Sequence, residues 1–247
     1  MDSAPWLDKI RRLRHSFASS GVARTLADIV AQKVAYRPAD DHSFDREYGT
    51  ETSGSREPSE LGIADPALRE KAILYLPSPA GVTRWMLRNA GIDHARYSFV
   101  DLGCGKGRVL LVASEFPFAR IVGVDISAEL CAVARRNAES FQPSTRRCHD
   151  IQVENVDATT FVFPAGDLLI HLYHPFSPEL TYRILDRLGS SLREQPRRVV
   201  VAYLLYTAAL PEVEAMFARV PWLTRARHER SVTGQYDWLF YSSGAPS

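Results

Sequence analysis

Three glycines spaced two apart, Gly103, Gly105 and Gly107 in the stretch VDLGCGKGR, follow a short apolar run and lead into another. A strand, a turn and a helix in that order gather backbone N–H groups around a ligand, and turns of this kind seat nucleotides. The spacing separates the candidates. A dinucleotide turn reads G-x-G-x-x-G, whereas here position 108 is arginine, so a pyrophosphate reading is weakened, with Lys106 and Arg108 as its remaining donors. A P-loop fails outright, because Lys106 is followed by glycine and arginine where serine or threonine is required. Asp125 closes the run IVGVD eighteen residues beyond Gly107, where its carboxylate can accept two hydrogen bonds from an unphosphorylated ribose diol. It could instead only start a helix capped by Ser127. The glycine turn one strand earlier favours the ribose.

These residues need a sheet to position them, and the pattern supplies one. Beyond a helix around residues 79 to 90, apolar runs at 96–102, 119–125, 151–156, 167–173 and 197–205 read as strands. Helical stretches at 107–116, 127–141 and 178–195 intervene. Such alternation means crossover units and a mostly parallel, doubly wound α/β sheet. The end of the chain differs. A short helix at 211–220 precedes two strand-like runs joined through Gly234, an antiparallel hairpin signal. In an open parallel sheet ligands bind beyond the carboxyl ends of the strands. Those ends carry Asp101, then Asp125, then Asn155 and Asp157, then Tyr173, His174, Pro175 and Phe176.

Ahead of this region the chain changes character. Residues 5 to 36 fit two amphipathic helices whose polar faces bear Lys9, Arg11, Arg12, Arg14 and Arg24, chiefly as a solvated face. Residues 37 to 70 are polar, lack a sustained period and read as a long loop able to close over the crevice as a lid, with too little apolar surface to hold itself down. The expected organisation is therefore an N-terminal helical and lid extension over 1–70 and a ligand-binding domain over 71–247.

With 247 residues, 45% of them hydrophobic, the chain can bury a large core. A formal charge of +1 supplies no global attraction to nucleic acid or an anionic membrane. Three scattered cysteines, Cys104, Cys131 and Cys148, without a C-x-x-C pair, argue for a reducing compartment and against a disulfide framework. The longest apolar run, residues 199 to 210, falls short of the roughly 20 residues of a spanning helix. A soluble cytoplasmic protein is expected.

The motifs together resemble the class I S-adenosylmethionine (AdoMet)-dependent methyltransferases over roughly residues 71 to 243. VDLGCGKGR is similar to that family's cofactor motif, VGVDIS to its ribose-binding strand end, NVDATTF to its adenine-side loop and LYHPF to its acceptor-side motif. The resemblance implies a seven-stranded sheet of order 3-2-1-4-5-7-6 with the last strand reversed. It further implies AdoMet as cofactor and S-adenosylhomocysteine (AdoHcy) as product. Asp101 would anchor the amino group of the methionine end, Gly103 and Gly105 would admit that end, Asp125 would bind the ribose and Asp157 would face the adenine amine. Cys104, Ile126 and Ala158 join the cofactor set as neighbours within these motifs, and Tyr75 and Tyr48 as aromatic covers. FDREYGTETSG ahead of YLPSP and DLGCGKGR also resembles a largely uncharacterised bacterial subgroup, and the Y-x-P element is similar to seven-strand protein lysine methyltransferases. In the bacterial subgroup the acceptor motif reads Asn-Pro-Phe. Here His174 stands in the amide's place, which turns the expectation away from amine acceptors.

Methyl transfer is an in-line displacement, so the protein mainly holds the nucleophile at attack distance and removes a proton where needed. His174 suits that second role, since imidazole titrates near neutrality, with Tyr173 beside it. The alternative is a helix-entry histidine satisfied by backbone. A metal cluster of His171, His174, Cys148 and His149 is not expected, because an i, i+3 pair on a strand points to opposite faces. Tyr36, Phe44, Trp85 and Tyr206 are further aromatic residues, chiefly core. The favoured function is a methyltransferase acting on a small molecule at oxygen or nitrogen. The competing ones are a protein lysine or amine methyltransferase, a non-catalytic AdoMet-binding scaffold and, last, an NAD enzyme.

Overall fold

The computed structural model describes residues 42–63, 65–69, 72–231 and 236–244. The expected helices within 5–36, their basic residues, Tyr36 and the turn residue Gly234 lie outside the described residues. The described chain runs α1 (Ser43–Tyr48), α2 (Pro66–Arg69), α3 (Ala80–Arg88), β1 (Tyr97–Leu102), α4 (Arg108–Ala113), β2 (Arg120–Asp125), α5 (Ala128–Ser140), β3 (Ile151–Asn155), β4 (Asp167–Tyr173), α6 (Pro178–Glu194), β5 (Val199–Tyr206), α7 (Leu210–Phe217), β6 (Leu223–Arg230) and β7 (Tyr236–Ser243). The loop expected over 37–70 is partly wrong: within it the chain forms α1, α2 and a 3-10 turn at Pro58–Glu60.

The strands form a single seven-stranded sheet of order β3-β2-β1-β4-β5-β7-β6, as the resemblance implied. β1 to β5 are parallel, and β7 runs antiparallel between β5 and β6. Alternation along the central strands divides the core into two layers. Val100, Leu102, Leu168, Ile170 and Leu172 face α6, meeting Ile184, Leu185 and Leu188. Phe99 and Leu169 face the other way, toward Met86 and Leu87 of α3 and Leu110 and Leu111 of α4.

The helices that flank the crevice are stopped and started by side chains the sequence displays. Ser127 caps α5, accepting from the Leu130 N–H at 3.2 Å, and Ser177 caps α6, accepting from the Leu180 N–H, with Pro178 in its first turn. Both caps sit at the carboxyl end of the sheet. The parallel strands thus deliver Asp101, Asp125, Asn155 and Tyr173 to one rim.

Candidate active site

The glycine turn folds back over β2: the N–H groups of Gly103 and Cys104 both donate to the Val124 carbonyl, at 2.8 and 3.0 Å. Gly103 adopts φ +82°, and a Cβ there would lie 2.8 Å from the Pro175 side chain. Gly105, at φ +52°, is tighter still, since a Cβ would lie 2.1 Å from the ring of Tyr75. Gly105 therefore admits the Tyr75 ring, and it is not among the residues that line the cavity. Asp125 ties this turn to α5. Its Oδ2 accepts the Gly105 N–H at 2.8 Å and its Oδ1 the Ser127 N–H at 2.9 Å, leaving further lone pairs on each oxygen. Burial raises the Asp125 pKa, and those two backbone bonds oppose the rise. Asp125 braces a helix start and also lines the cavity.

That cavity, about 270 Å³, runs along the rim from Asp157 and Asp125 past Asp101 and Gly103 to Tyr173 and His174. Cys104, Ile126, Ala158 and Tyr75 also line it, so of the expected set only Gly105 and Tyr48 do not. Tyr48 packs instead against Phe44 and Phe141, with ring centroids 4.8 and 5.0 Å away. Ile126, Leu130, Val156 and Ala158 make an apolar slot beside Asp157, the right chemistry for a flat base with a polar edge. Asp157 Oδ1 accepts from the Thr159 N–H and hydroxyl at 2.8 and 2.7 Å, which fixes its turn. Asn155 is structural: its amide donates to the carbonyls of Asp125 and Ile126. Burial pushes the Cys104 thiol well above its ordinary range, so it is a wall and not a nucleophile.

At the other end β4 stops at Tyr173, and His174 turns out of the strand at φ +38°, the left-handed region that side chains rarely occupy. Its Nδ1 lies 3.1 Å from the Tyr203 hydroxyl. Burial lowers the His174 pKa, and the charge of Glu212 opposes that only in part. The backbone turn also corrects the strand-face argument. His171 and His174 line the same cavity because the alternation of β4 ends between them. Cys148 and His149 are not in its wall.

His171 lines the cavity with a partner that sequence reasoning did not foresee. It lies directly beside Asp101 in the β1·β4 register, with Nδ1 2.6 Å from Asp101 Oδ1, and both residues are almost wholly buried. Its signal was a lone polar residue within the apolar strand DLLIHLY, a position that needs a partner.

The segment after α1 is docked over the glycine turn. Asp45 accepts from the hydroxyls of Thr50 and Thr52 and the N–H groups of Thr52 and Ser53, at 2.6 to 2.8 Å. Buried Lys106 donates to the Ser53 carbonyl, and buried Arg108 to the hydroxyls of Thr52 and Ser53. Tyr75 Oη donates to the Thr52 carbonyl at 2.8 Å, while Asn137 exchanges hydrogen bonds with the Glu51 backbone. Polar contacts supply what apolar burial lacks here. Lys106 and Arg108 are thus engaged with this segment, and Arg108 also lines the cavity.

Residues 99–195, from β1 to the end of α6, match the family model described as a methyltransferase domain. The likeness is to methyltransferases, over that part of the chain. The fold of the chain is similar to that of a SAM-dependent methyltransferase from Aquifex aeolicus, with TM-score 0.52 and 13% identity over 76% of this chain and 100% of that one. The chain is 32% identical to the release factor glutamine methyltransferase of Chlorobaculum tepidum over 123 residues, 47% of this chain and 40% of the relative. It is 39% identical to the ribosomal protein L11 methyltransferase of Alteromonas mediterranea over 62 residues, 25% of this chain and 20% of the relative. The chain thus spans less than half the length of these curated relatives. Among the described residues no helix is long and apolar enough to cross a membrane, and no cluster of His, Cys, Asp and Glu is arranged to hold a metal.

Proposed function

We propose that this protein transfers the methyl group of AdoMet to the oxygen of a small-molecule acceptor, with His174 as general base. The single observation that carries the reading is the continuity of the cavity: the same walls that present Asp157, Asp125, Asp101 and Gly103 also present Tyr173 and His174. A scaffold that had lost its chemistry has no need of the second half of that space.

The residues fit the proposed cofactor. The apolar slot and Asp157 suit adenine, the remaining lone pairs of Asp125 suit a ribose diol, and Asp101 and Gly103 line the wall between Asp125 and Tyr173. AdoMet brings a methyl group on a positively charged sulfur, already activated for displacement. The protein's own tasks are then position and proton removal. His174 is kept neutral by burial, so its imidazole is ready to accept a proton from a hydroxyl or carboxylic acid. Tyr203, whose hydroxyl pKa burial raises, stays protonated, and in the tautomer with the proton on Nδ1 its oxygen accepts from Nδ1–H, which fixes the ring and leaves Nε2 free to take a proton. Nε2 is the nitrogen that faces an acceptor. Residues 42–63 act as a cap that keeps water from the glycine turn, and residues 71–247 as the catalytic unit. Three free, buried cysteines are consistent with work in the cytoplasm.

The test is transfer of tritium from methyl-labelled AdoMet to a panel of small hydroxyl and carboxyl compounds. Acceptor-dependent label with stoichiometric AdoHcy is expected. Label incorporated only into protein or amine acceptors would overturn the assignment.

A further inference from the structure

The cavity wall around His174 is aromatic and uncharged. β4 and β5 run side by side, and their last residues, Tyr173 and Tyr206, meet at the rim with ring centroids 6.5 Å apart. Tyr206 also lies against Tyr236 of β7, with centroids 4.6 Å apart, so two neighbours hold its ring. It is nevertheless 42% exposed, and it lines the cavity. Ile73 and Leu74, each 43% exposed, line the same cavity. Large apolar side chains left open around one cavity mark a place for a ligand with apolar surface. Burial raises the Tyr173 hydroxyl pKa, so that group stays protonated and uncharged.

Charge narrows what this wall accepts. Among the described residues that line the cavity Arg108 is the single lysine or arginine, and it is buried and donates to the hydroxyls of Thr52 and Ser53. The charge acting on His174 is the carboxylate of Glu212, in the first turn of α7. A carboxylate or phosphate on the acceptor would lose water, meet no cation at this end and face a like charge. Acidity narrows it further. A histidine held below its ordinary range takes a proton from a phenolic hydroxyl, with a pKa of about 10 in tyrosine, far more readily than from an alkyl alcohol.

We propose that the acceptor is an uncharged phenol and that Tyr206 is a specificity-determining residue, its exposed ring packing against the acceptor's ring. The inference rests on the proposed oxygen methylation with His174 as base. In that step the phenol oxygen bonds to the methyl carbon as the carbon–sulfur bond of AdoMet breaks. The phenolic proton passes to His174 Nε2, leaving the neutral thioether of AdoHcy.

The experiment measures kcat/KM of the full chain for label transfer from AdoMet to phenol, cyclohexanol and para-hydroxybenzoate, with calorimetric titration of the same three into the AdoHcy complex. Phenol should bind about twofold to tenfold tighter than cyclohexanol, the worth of an aromatic pair beyond its area. It should bind about tenfold or more tighter than para-hydroxybenzoate, which brings an unpaired charge. In label transfer phenol should lead both. Tyr206→Ala should bring the phenol-to-cyclohexanol binding ratio toward unity, and Tyr206→Phe should keep it. Tyr206→Arg, which supplies a cation, should move the preference toward para-hydroxybenzoate. An undiminished ratio in Tyr206→Ala would overturn the role of Tyr206. Transfer to cyclohexanol or para-hydroxybenzoate at least as fast as to phenol would overturn the acceptor class and leave the oxygen reading standing. Transfer to none of the three rejects both.

Discussion

The Gly105 N–H donates to Asp125 Oδ2 at 2.8 Å, so the residue expected to hold a ribose also holds the glycine turn in shape. The second carboxylate oxygen does the same for the start of α5 through the Ser127 N–H. Asp125→Ala should therefore have two effects. Affinity for AdoHcy should fall by about 1.5 to 3 kcal/mol, the scale of hydrogen bonds to a charged group, and the melting temperature should fall as well. Calorimetry and a thermal melt of one preparation check both. A variant that loses stability but keeps its affinity would leave Asp125 only the bracing role.

Gly105 is where the cap meets the turn. A methyl group there would sit 2.1 Å from the Tyr75 ring, at a backbone angle that L-residues avoid. Gly105→Ala should displace Tyr75 and with it the hydrogen bond to the Thr52 carbonyl, loosening residues 50–56. Limited trypsin digestion should then cut after Arg46 and Arg56 faster than in wild type. Unchanged cleavage would mean that the cap is held without Tyr75.

The cap should also respond to acid. Burial alone would raise the Asp45 pKa, but hydrogen bonds from Ser53, Thr52 and Thr50 outweigh it and hold the group at about 2, below the ordinary 3.8. A folded-state pKa below the unfolded one stabilises the folded state in full above the unfolded value, and the contribution disappears as pH falls through the folded value. The stability gap between wild type and Asp45→Asn should thus be constant above pH 4 and shrink between about 4 and 2. Thermal melts across that range measure it, and a gap independent of pH would remove Asp45 as the anchor.

His174 carries backbone strain as well as the proposed chemistry. A non-glycine residue at φ +38° costs on the order of 1 kcal/mol, a cost that persists where surroundings or function demand it. His174→Gly should raise stability by up to about that amount and lower turnover by about 10²- to 10⁴-fold. His174→Asn, which tolerates this backbone angle, should keep AdoHcy affinity and show a similar loss of turnover. In wild type the rate should rise with pH through an apparent pKa below the ordinary 6.5 of histidine, since only the neutral ring accepts a proton. That limb should vanish in His174→Asn. Full activity in either variant would move the base elsewhere.

The local periods of the chain made the strands and helices legible, because each central strand is a near-continuous apolar run bounded by its rim residue, as in RYSFVDL ending at Asp101 and Leu102. The glycine spacing and Asp125 were legible for the same reason: their roles follow from position relative to a strand end. The Asp101 to His171 contact was not, since it depends on a strand register across 70 residues of sequence. Nor was the Asp45 cluster, where short polar side chains bind backbone and two buried cations in a segment without any period. His174 was misplaced relative to His171 because the strand period was extended one residue past its end, where the backbone turns left-handed.

The claim on which all of this stands is that the glycine turn and Asp125 receive AdoMet and not a dinucleotide. Calorimetric titration of the purified full chain with AdoHcy and, separately, with NAD tests it directly. The account predicts saturable one-to-one binding of AdoHcy and no heat of binding with NAD, because the donors a pyrophosphate would need, Lys106 and Arg108, are engaged with Ser53 and Thr52. Saturable binding of NAD with no response to AdoHcy would contradict it.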